Sequence, residues 1–362
     1  MASAVPTARA QSPVVLQREL LYLLAEINYQ LFLARRQDER LLLALAALQL
    51  QALNPTLSTV AGTAMNVAGI NESSEAMSCP VFVGTGTLLG EDTCLWSKVT
   101  GQRTNQFSTD TDSVGLRIGG QAELAPGWFL GGTLSTGTSW QQAEGTNTTA
   151  RGQSAGGSVA VKRVQGPWLL AGALGFSTTW NRMTRQGVGL ANGQMVQADI
   201  NASFAGLRLR GAYDFAFDGW YVRPRLDVAA SYTWMPGFTE TGPAGGVFSY
   251  AAQNKIGAML APIVELGGRI DLGERTILRP YLAAGPQFVP DNTWKVVASF
   301  TGPLSYIGSF SQTFVGPSVL ATVEAGLQLY DAQGLDLRAE YKLAAGYSIL
   351  SQTASLRLGW RF

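Results

Sequence analysis

From residue 95 to the C-terminus, apolar and polar residues alternate along most of the chain. In VGLRIGGQAEL (114–124) the apolar side chains fall on one face of an extended strand, and arginine, glutamine and glutamate fall on the other. WYVRPRLDVAASYTW (220–234), IVELGGRIDL (263–272) and LDLRAEYKLAAGY (335–347) repeat this pattern. Runs of about ten residues or more are long enough to cross a bilayer at a tilt, whereas strands of soluble sandwiches average about five or six. The pattern therefore predicts long strands with an apolar outer face and a charged inner face.

Short connections alternate with longer polar segments in the same region. The short ones are LAPG (124–127), VQGP (164–167), AFDG (216–219), LGER (272–275) and DAQG (331–334). The longer ones are 107–112, 144–152, 185–194, 239–253 and 299–311, and a last bend falls near Ser351. Such alternation is typical of periplasmic turns and extracellular loops. The fold predicted for residues 94–362 is an all-β transmembrane barrel of twelve antiparallel strands.

Aromatic residues are predicted at two levels of this barrel. Tryptophans that follow a short turn would form the periplasmic girdle, and those near the long loops would form the outer girdle, because amphipathic rings favour the headgroup depth. The periplasmic set is Trp128, Phe129, Trp168, Trp220 and Tyr221, with Trp360 and Phe362 at the same level, and the outer set is Trp140, Trp180, Trp234 and Trp294. Prolines are the main difficulty, because Pro224, Pro262 and Pro280 fall inside predicted strands. We expect β-bulges there.

The charged residues on the inner face are the best candidates in the sequence for a functional site. They are Arg117, Glu123, Arg208, Arg210, Arg223, Arg225, Glu265, Arg269, Arg338 and Glu340. A structural role, in which these side chains bond to one another in a wet lumen, is favoured over a catalytic one. The same charges could also cradle a helix, since a lumen of twelve strands has room for roughly one.

The first 93 residues have a different character. VVLQRELLYLLAEINYQLFLA (14–34) places leucines at helical spacing, and a second apolar run, 41–53, ends at Asn54-Pro55. We interpret residues 1–54 as a helical extension whose leucine stripe packs on a partner surface. TARAQS (7–12) is similar to the end of a signal peptide, so either the true start lies upstream of a remnant at 1–10 or the similarity is chance.

Residues 55–93 are predicted to link the extension to the barrel. We expect a segment between Arg35 and Ser78 to plug the lumen. The candidates are 35–53, which has the higher helix propensity, and 56–75, whose small polar side chains suit a narrow wet lumen. We prefer the second. Cys79 and Cys94 close a short loop, which favours a disulfide; a zinc site would need ligands that the chain does not offer beside them.

Composition removes several classes of function. Histidine is absent, which excludes Ser-His-Asp and Cys-His nucleophile systems and most zinc sites. A net charge of +1 gives no electrostatic footprint for nucleic acid. Continuous apolar runs long enough for a membrane-spanning helix are absent from the sequence. We therefore predict no enzymatic activity, no cofactor and no metal site.

Four features of the chain occur together: the twelve predicted strands, the leading CLWSKVTGQRTNQ, the repeats PGWFLGGTLS and GPWLLAGALG, and the closing LRLGWRF. With them the chain resembles the translocator domain of autotransporters, the membrane half of type V secretion. The resemblance implies a monomeric barrel in the lipid of the bacterial outer membrane. It also implies that Phe362, with Trp360, Leu358 and Leu356, is the signal read by the barrel assembly machinery. The chain before residue 79 is too short for the usual β-solenoid passenger, and the paired-asparagine cleavage site is absent. The alternative is a passive diffusion pore or structural barrel with a periplasmic helical extension.

Overall fold

The computed structural model describes residues 21–37, 73–74, 76–77, 79–106, 109–143, 147–186, 194–242, 247–273, 276–302, 305, 308–331 and 333–362. Two compact units divide the chain, Met1–Leu53 and Asn54–Phe362. In the first unit residues 21–37 are helical, within the predicted helical extension, and large apolar side chains such as Leu24, Ile27 and Leu31 are exposed. Among the described residues, no helix has both the length and the apolar character needed to cross a membrane. The predicted signal remnant at 1–10 and the run 41–53 lie outside the described residues.

The second unit consists of β-strands. In chain order they are β1 (Pro80–Phe82), β2 (Leu89–Glu91), β3 (Cys94–Gln106), β4 (Thr109–Ala125), β5 (Trp128–Ala143), β6 (Thr149–Gln165), β7 (Trp168–Gln186), β8 (Met195–Tyr213), β9 (Phe215–Ala216), β10 (Trp220–Met235), β11 (Phe238–Thr239), β12 (Phe248–Tyr250), β13 (Gln253–Gly268), β14 (Ile270–Asp271), β15 (Thr276–Phe288), β16 (Thr293–Phe300), β17 (Ser309–Val315), β18 (Val319–Asp331), β19 (Leu335–Gly346) and β20 (Ile349–Arg361).

Twelve long strands form a closed antiparallel barrel, which confirms the predicted fold class. The order around the barrel is β3, β4, β5, β6, β7, β8, β10, β13, β15, β18, β19 and β20. Closure is made by β20 and β3, which pair along their whole length from Ile349 opposite Gln106 to Arg361 opposite Cys94. The C-terminal strand is therefore held on both edges, and the barrel has no open edge through which unpaired backbone groups would meet lipid.

All five predicted short turns join consecutive barrel strands at one end of the barrel, called here the short-turn end. Each contains a glycine with a positive φ angle, a conformation that costs glycine little and other residues more. These glycines are Gly127, Gly166, Gly219, Gly273 and Gly334. The opposite end, where the connections are longer, is called the long-loop end.

Several of the predicted longer connections differ in the structure: β6 begins at Thr149, inside 144–152, and β12 lies inside 239–253. The polar segment 107–112 is mostly strand, because β4 begins at Thr109 and pairs with β3 up to Gln106. The segment 299–311 was predicted as one outer loop between two barrel strands, and that prediction is wrong. The connection runs from Phe288 to Val319 and contains its own hairpin, β16 and β17. This hairpin alternates like a barrel strand, so periodicity alone could not distinguish the two.

The prediction of bulges at three prolines is also wrong. Opposite β13, the register of β10 is continuous through Pro224, and the register of β15 opposite β18 is continuous through Pro280. Each proline lies instead where the pairing with the strand on its other side is interrupted. Pro224 falls between the residues of β10 that pair with β9 and those that pair with β8, and Pro280 falls between the residues of β15 that pair with β14 and those that pair with β13. Pro262 falls in a gap in the pairing of β13 with β15. The missing N–H therefore removes no ladder hydrogen bond.

The two faces of the barrel wall follow the alternation of the sequence. Outward positions are large, apolar and exposed, among them Leu116, Leu134, Leu209, Val264 and Leu327. Inward positions are buried and carry most of the charged and small side chains. The wall thus has the lipid-compatible outer band and polar lumen of a transmembrane barrel.

Candidate functional site in the barrel lumen

The chain segment just before the first barrel strand lies inside the barrel at the short-turn end. Residues 79–93, called here the cap hairpin, contain the antiparallel pair β1 and β2. The ring of Phe82 packs edge-on against Tyr221 and Tyr330, with centroids 6.1 and 6.0 Å apart, and Leu89 is fully buried in the same cluster. Burying such a side chain stabilises the fold by about 1.5–3 kcal/mol. Two apolar anchors therefore hold the cap hairpin against the wall.

A buried carboxylate fixes the second strand of the cap hairpin. Glu91 forms an ion pair with Lys162, and the two side chains are 3% and 0% exposed. The same carboxylate accepts hydrogen bonds from Gln121 Nε2, at 3.0 Å, and from the backbone N–H of Cys79, at 3.1 Å. An ion pair removed from water survives only when its remaining polar atoms are bonded. Glu91 meets that condition, which makes its position in the lumen specific.

The tip of the cap hairpin is held by the barrel rim. The Thr87 hydroxyl lies 2.7 Å from the carbonyl oxygen of Phe217 and 3.0 Å from that of Trp220, at the turn between β8 and β10. Arg269 donates to the carbonyl oxygens of Gly84 and Gly86 at 2.7 and 3.1 Å. Arg269, predicted from sequence as a lumenal charge, therefore contacts the hairpin tip.

A disulfide joins Cys79 at the start of the cap hairpin to Cys94, the first residue of β3. This confirms the pairing expected from the sequence. The guanidinium of Arg357 lies 4.7 Å from the centre of the Trp96 ring and donates from Nη2 to Cys79 Sγ at 3.0 Å. The bond, the ring and the guanidinium are all buried. The cap hairpin is thus covalently tethered to the strand that closes the barrel.

Beneath the cap hairpin a hydrogen-bonded network connects five strands. Arg279 donates from Nη2 to Glu265 at 2.5 Å, from Nε to the Tyr221 hydroxyl at 2.7 Å and from Nη1 to Gln328 at 2.8 Å. The Tyr221 hydroxyl donates to Glu265 at 2.6 Å, and Gln328 donates to Asp336 at 3.0 Å. Because nearly every polar atom has a partner, the network is rigid rather than merely charged.

A second cluster surrounds Glu340. Glu340 accepts from Arg338 at 2.5 Å, from Lys98 at 3.0 Å and from the Tyr281 hydroxyl at 2.5 Å. Arg225 approaches Glu265 and Glu324 only to 3.9 and 4.0 Å. Charge pairing around Arg225 is therefore looser than around Arg279 or Glu340.

Tyrosines of the wall fit against glycines of the next strand. Tyr281 is directly opposite Gly326, and a Cβ atom on that glycine would lie 2.3 Å from the tyrosine ring. Tyr221 and Gly267 show the same arrangement, again at 2.3 Å. The missing side chain lets each ring lie flat on the wall, where its hydroxyl reaches the polar clusters.

Residues before the cap hairpin also line the lumen. Ala76 and Met77 are buried in a cluster with the small side chains of Ala160, Ala171 and Ala173. Ser74 borders a cavity of about 250 Å³ in the middle of the lumen. Going from residue 77 to residue 74, the chain runs from near the short-turn end toward the long-loop end. The remainder of the predicted plug 56–75 lies outside the described residues.

The cavity is lined by seven basic and three acidic side chains among the described residues. The basic ones are Lys98, Arg117, Arg208, Arg210, Arg225, Arg338 and Lys342, and the acidic ones are Asp227, Glu324 and Glu340. Hydroxyls of serine and threonine and backbone glycines make up most of the remaining lining.

The predicted lumenal charges are therefore distributed among three environments. Six of them line the cavity, namely Arg117, Arg208, Arg210, Arg225, Arg338 and Glu340. Arg223 and Glu265 are buried nearer the short-turn end, where Arg223 pairs with Asp214. Glu123 is exposed at the first short turn and accepts from the N–H of Gly127 at 2.7 Å. Sequence reasoning missed Glu91, Lys162, Arg279 and Arg357. The last three alternate in register with inward positions, so the same pattern could have identified them.

The predicted girdle tryptophans lie mainly on the outer surface. Trp128, Trp168 and Trp220 are exposed at the start of their strands, Trp140 and Trp180 are exposed near the long-loop end, and Trp234 is half-buried beside Tyr232. The prediction that Trp294 belongs to the outer girdle is wrong, because this side chain is buried within the hairpin of β16 and β17. The prediction is also wrong for Phe129 and Tyr221, which follow a girdle tryptophan by one position and are buried, because neighbouring residues of a strand point to opposite faces.

The long-loop end carries a structured extension outside the barrel sheet. Strands β11, β12, β16 and β17 form a four-stranded sheet. Arg185 at the end of β7 pairs with buried Glu240, which also accepts from the Tyr250 hydroxyl at 3.2 Å. Burial raises the pKa of Tyr250 well above its ordinary value, so this phenol stays protonated and bonded.

Comparison with known proteins decides the family. Residues 95–342 match the family model described as the autotransporter beta-domain. The chain belongs to the autotransporter β-domain family. It is similar in structure to the translocator domain of autotransporter NalP from Neisseria meningitidis, with 14% identity, a TM-score of 0.63, and coverage of 84% of this chain and 98% of that chain.

A second similar structure is the β domain of the Bordetella autotransporter BrkA, with 20% identity and a TM-score of 0.56 over 75% of this chain and 100% of that one. The comparison with curated proteins gave no match. At these identities the structures show the shared barrel fold, and the family assignment rests on the sequence match. This autotransporter barrel is a translocator whose lumen carries its own upstream segment. The described part of that segment is the cap hairpin and residues 73–77.

Among the described residues, no group of three or more acidic or cysteine side chains is arranged to hold a metal ion.

The last strand presents Leu356, Leu358 and Trp360 on its outer face, and Phe362 follows it with 76% of its surface exposed.

Proposed function

We propose that this domain sits in the bacterial outer membrane, carries its own N-terminal segment toward the cell surface, and is then closed by the cap hairpin at its periplasmic end. The observation that carries the proposal is the position of residues 73–93. The chain that precedes the first strand lies within the lumen, rather than outside the barrel, and runs toward the long-loop end.

The contacts of the cap hairpin support a closing role. Arg269 donates hydrogen bonds to its tip, and Lys162 forms an ion pair with its second strand. Its first residue, Cys79, is joined to Cys94 by the disulfide. Three attachments spread along fifteen residues leave little freedom to swing out. Short turns of outer-membrane barrels lie on the periplasmic side, so the closure would face the periplasm.

The remaining partners follow from the outer surface and the C-terminus. The apolar band would contact outer-membrane lipid, and the barrel has no unpaired strand edge that calls for a second copy. Phe362, with Trp360, Leu358 and Leu356, would be read by the barrel assembly machinery. The lumenal charges serve translocation and structure, not catalysis.

Planar-bilayer conductance tests the proposal with three forms: the full chain, a chain lacking residues 1–78, and a chain lacking 1–93 with Cys94→Ser. The full chain should show small or rare conductance. Removing 1–78 should raise it in part, because the cap hairpin remains, and removing 1–93 should give the largest steady pore. Mobility shifts on heating would verify that each form is a folded barrel. Equal conductance from all three forms would contradict the proposal and favour the diffusion pore.

The position of the N-terminal segment can be tested separately. A cysteine placed at Leu20 or Val60 should react with a membrane-impermeant maleimide on intact cells when the segment has reached the surface. Labelling only after the outer membrane is opened would indicate a periplasmic extension instead.

A further inference from the structure

The charge around the lumenal cavity is strongly one-sided. Among the described residues, seven basic and three acidic side chains line it, although the whole chain carries a net charge of only +1. Each of the three acids already has a basic neighbour: Glu340 contacts Lys98 and Arg338, Asp227 pairs with Arg210, and Glu324 lies near Arg225. Walls of low dielectric focus such an excess into the lumen. The middle of the barrel therefore presents a positive potential.

The chain that enters this lumen has the complementary composition. No lysine or arginine occurs between residues 41 and 97, while four acidic residues occur there, at positions 72, 75, 91 and 92. One complementary contact is visible: Glu91 of the cap hairpin pairs with Lys162 of the wall, and both side chains are buried. Ser74, two positions after the first of the four acids, borders the basic cavity itself.

We propose that the lumenal wall selects its resident occupant by charge, and that its substrate class is an acidic chain segment free of basic residues, here residues 41–93 of this same protein. The inference rests on the proposed function, in which that segment occupies the barrel. A lysine or arginine in the segment would meet an excess of like charges between protein walls of low dielectric, whereas a carboxylate gains an attractive interaction at the same place.

Substitutions at Ser74 test the inference in the full chain. Ser74→Glu, Ser74→Lys and Ser74→Gln add side chains of similar length to a half-buried position on the cavity border and differ mainly in charge. The temperature at which the folded barrel loses its compact gel mobility would be measured for each. Ser74→Glu should unfold at least about 2 °C above Ser74→Lys, with Ser74→Gln between them. The difference should shrink in 1 M salt, where the Debye length falls to about 3 Å.

The outcomes distinguish this inference from the proposed function. Equal unfolding temperatures for the Glu and Lys variants, or the reverse order, would overturn the inference whether or not the segment blocks conductance. If both charged variants assemble poorly, the reversal potential of the full chain's residual conductance decides. Preference for chloride over potassium supports the positive lumen, and preference for potassium overturns it. The three-form conductance experiment, in contrast, tests only whether the segment closes the pore.

Discussion

The two halves of the lumen are built differently. Near the short-turn end, Tyr221, Glu265, Arg279 and Gln328 share short hydrogen bonds, and the cap hairpin fills the space above them. In the middle, the side chains surround a cavity; some of them pair closely, as Arg338 does with Glu340 at 2.5 Å, whereas Arg225 approaches Glu324 only to 4.0 Å. The first arrangement fills its space and fixes a structure, and the second leaves open space for an occupant. A translocator needs both, because the pore must accept a moving chain and still be closed afterwards.

The largest expected effect comes from breaking the fixed half. Arg279→Met would leave Glu265 and the Tyr221 hydroxyl buried without their main donor. We expect the free energy of unfolding to fall by about 3–5 kcal/mol. Urea unfolding of the barrel, followed by tryptophan fluorescence, measures the loss.

Arg225→Met is the matched control in the looser half, where the guanidinium makes no short hydrogen bond with the described residues. It should cost less than about 1.5 kcal/mol. Equal losses for the two variants would mean that the halves do not differ in rigidity.

Removing the tether tests how much of the cap hairpin's stability is covalent. Replacing Cys79 and Cys94 together by serine should lower the free energy of unfolding by about 3 kcal/mol, since the bond closes a loop of fifteen residues in the unfolded chain. Conductance should stay low, because the Glu91 and Arg269 contacts remain. A large steady pore in the double variant would show that the disulfide alone holds the cap in place.

Filling a glycine position beside a lumenal tyrosine should have an intermediate effect. In Gly326→Ala the new methyl would lie 2.3 Å from the Tyr281 ring, and this ring cannot shift freely because its hydroxyl contacts Glu340 and Arg338. We expect a loss of about 1–3 kcal/mol in urea unfolding. Gly101→Ala, where the methyl meets no atom within 4 Å, should stay within about 0.5 kcal/mol. Similar values for both would indicate that the ring has room to move.

The smallest effect on stability is expected at the chain end. Phe362→Ser should change the unfolding free energy by less than about 0.5 kcal/mol, because the ring is exposed beyond the last ladder pair. It should nevertheless lower the yield of assembled barrel in cells. Tyr347→Ser, an exposed aromatic residue at the other end, is the control and should assemble normally. Full yield from the Phe362 variant would refute its role as an assembly signal.

Much of the barrel could be predicted from local pattern. Strands such as β4 and β19 alternate cleanly because one face meets lipid and the other meets the lumen, so each residue reports its own environment. The turns at Gly127 and Gly334 were recognisable because a tight reversal needs particular residues. The errors occurred where alternation has another cause, as in β16, whose inner face packs Trp294 inside a hairpin rather than against a membrane.

The sequence by itself determined the class, the strand number, the closing strand and the disulfide, because each depends on spacing along the chain. The tertiary structure alone decided which residues contact one another in the lumen. Glu91 and Lys162 are 71 residues apart, and Thr87 meets a turn 130 residues away. Such contacts depend on which strands face one another across a closed barrel, and no local period encodes that. The positions of the prolines also depend on the tertiary structure, because each proline fits into its strand only where the hydrogen-bond ladder with one neighbouring strand is interrupted.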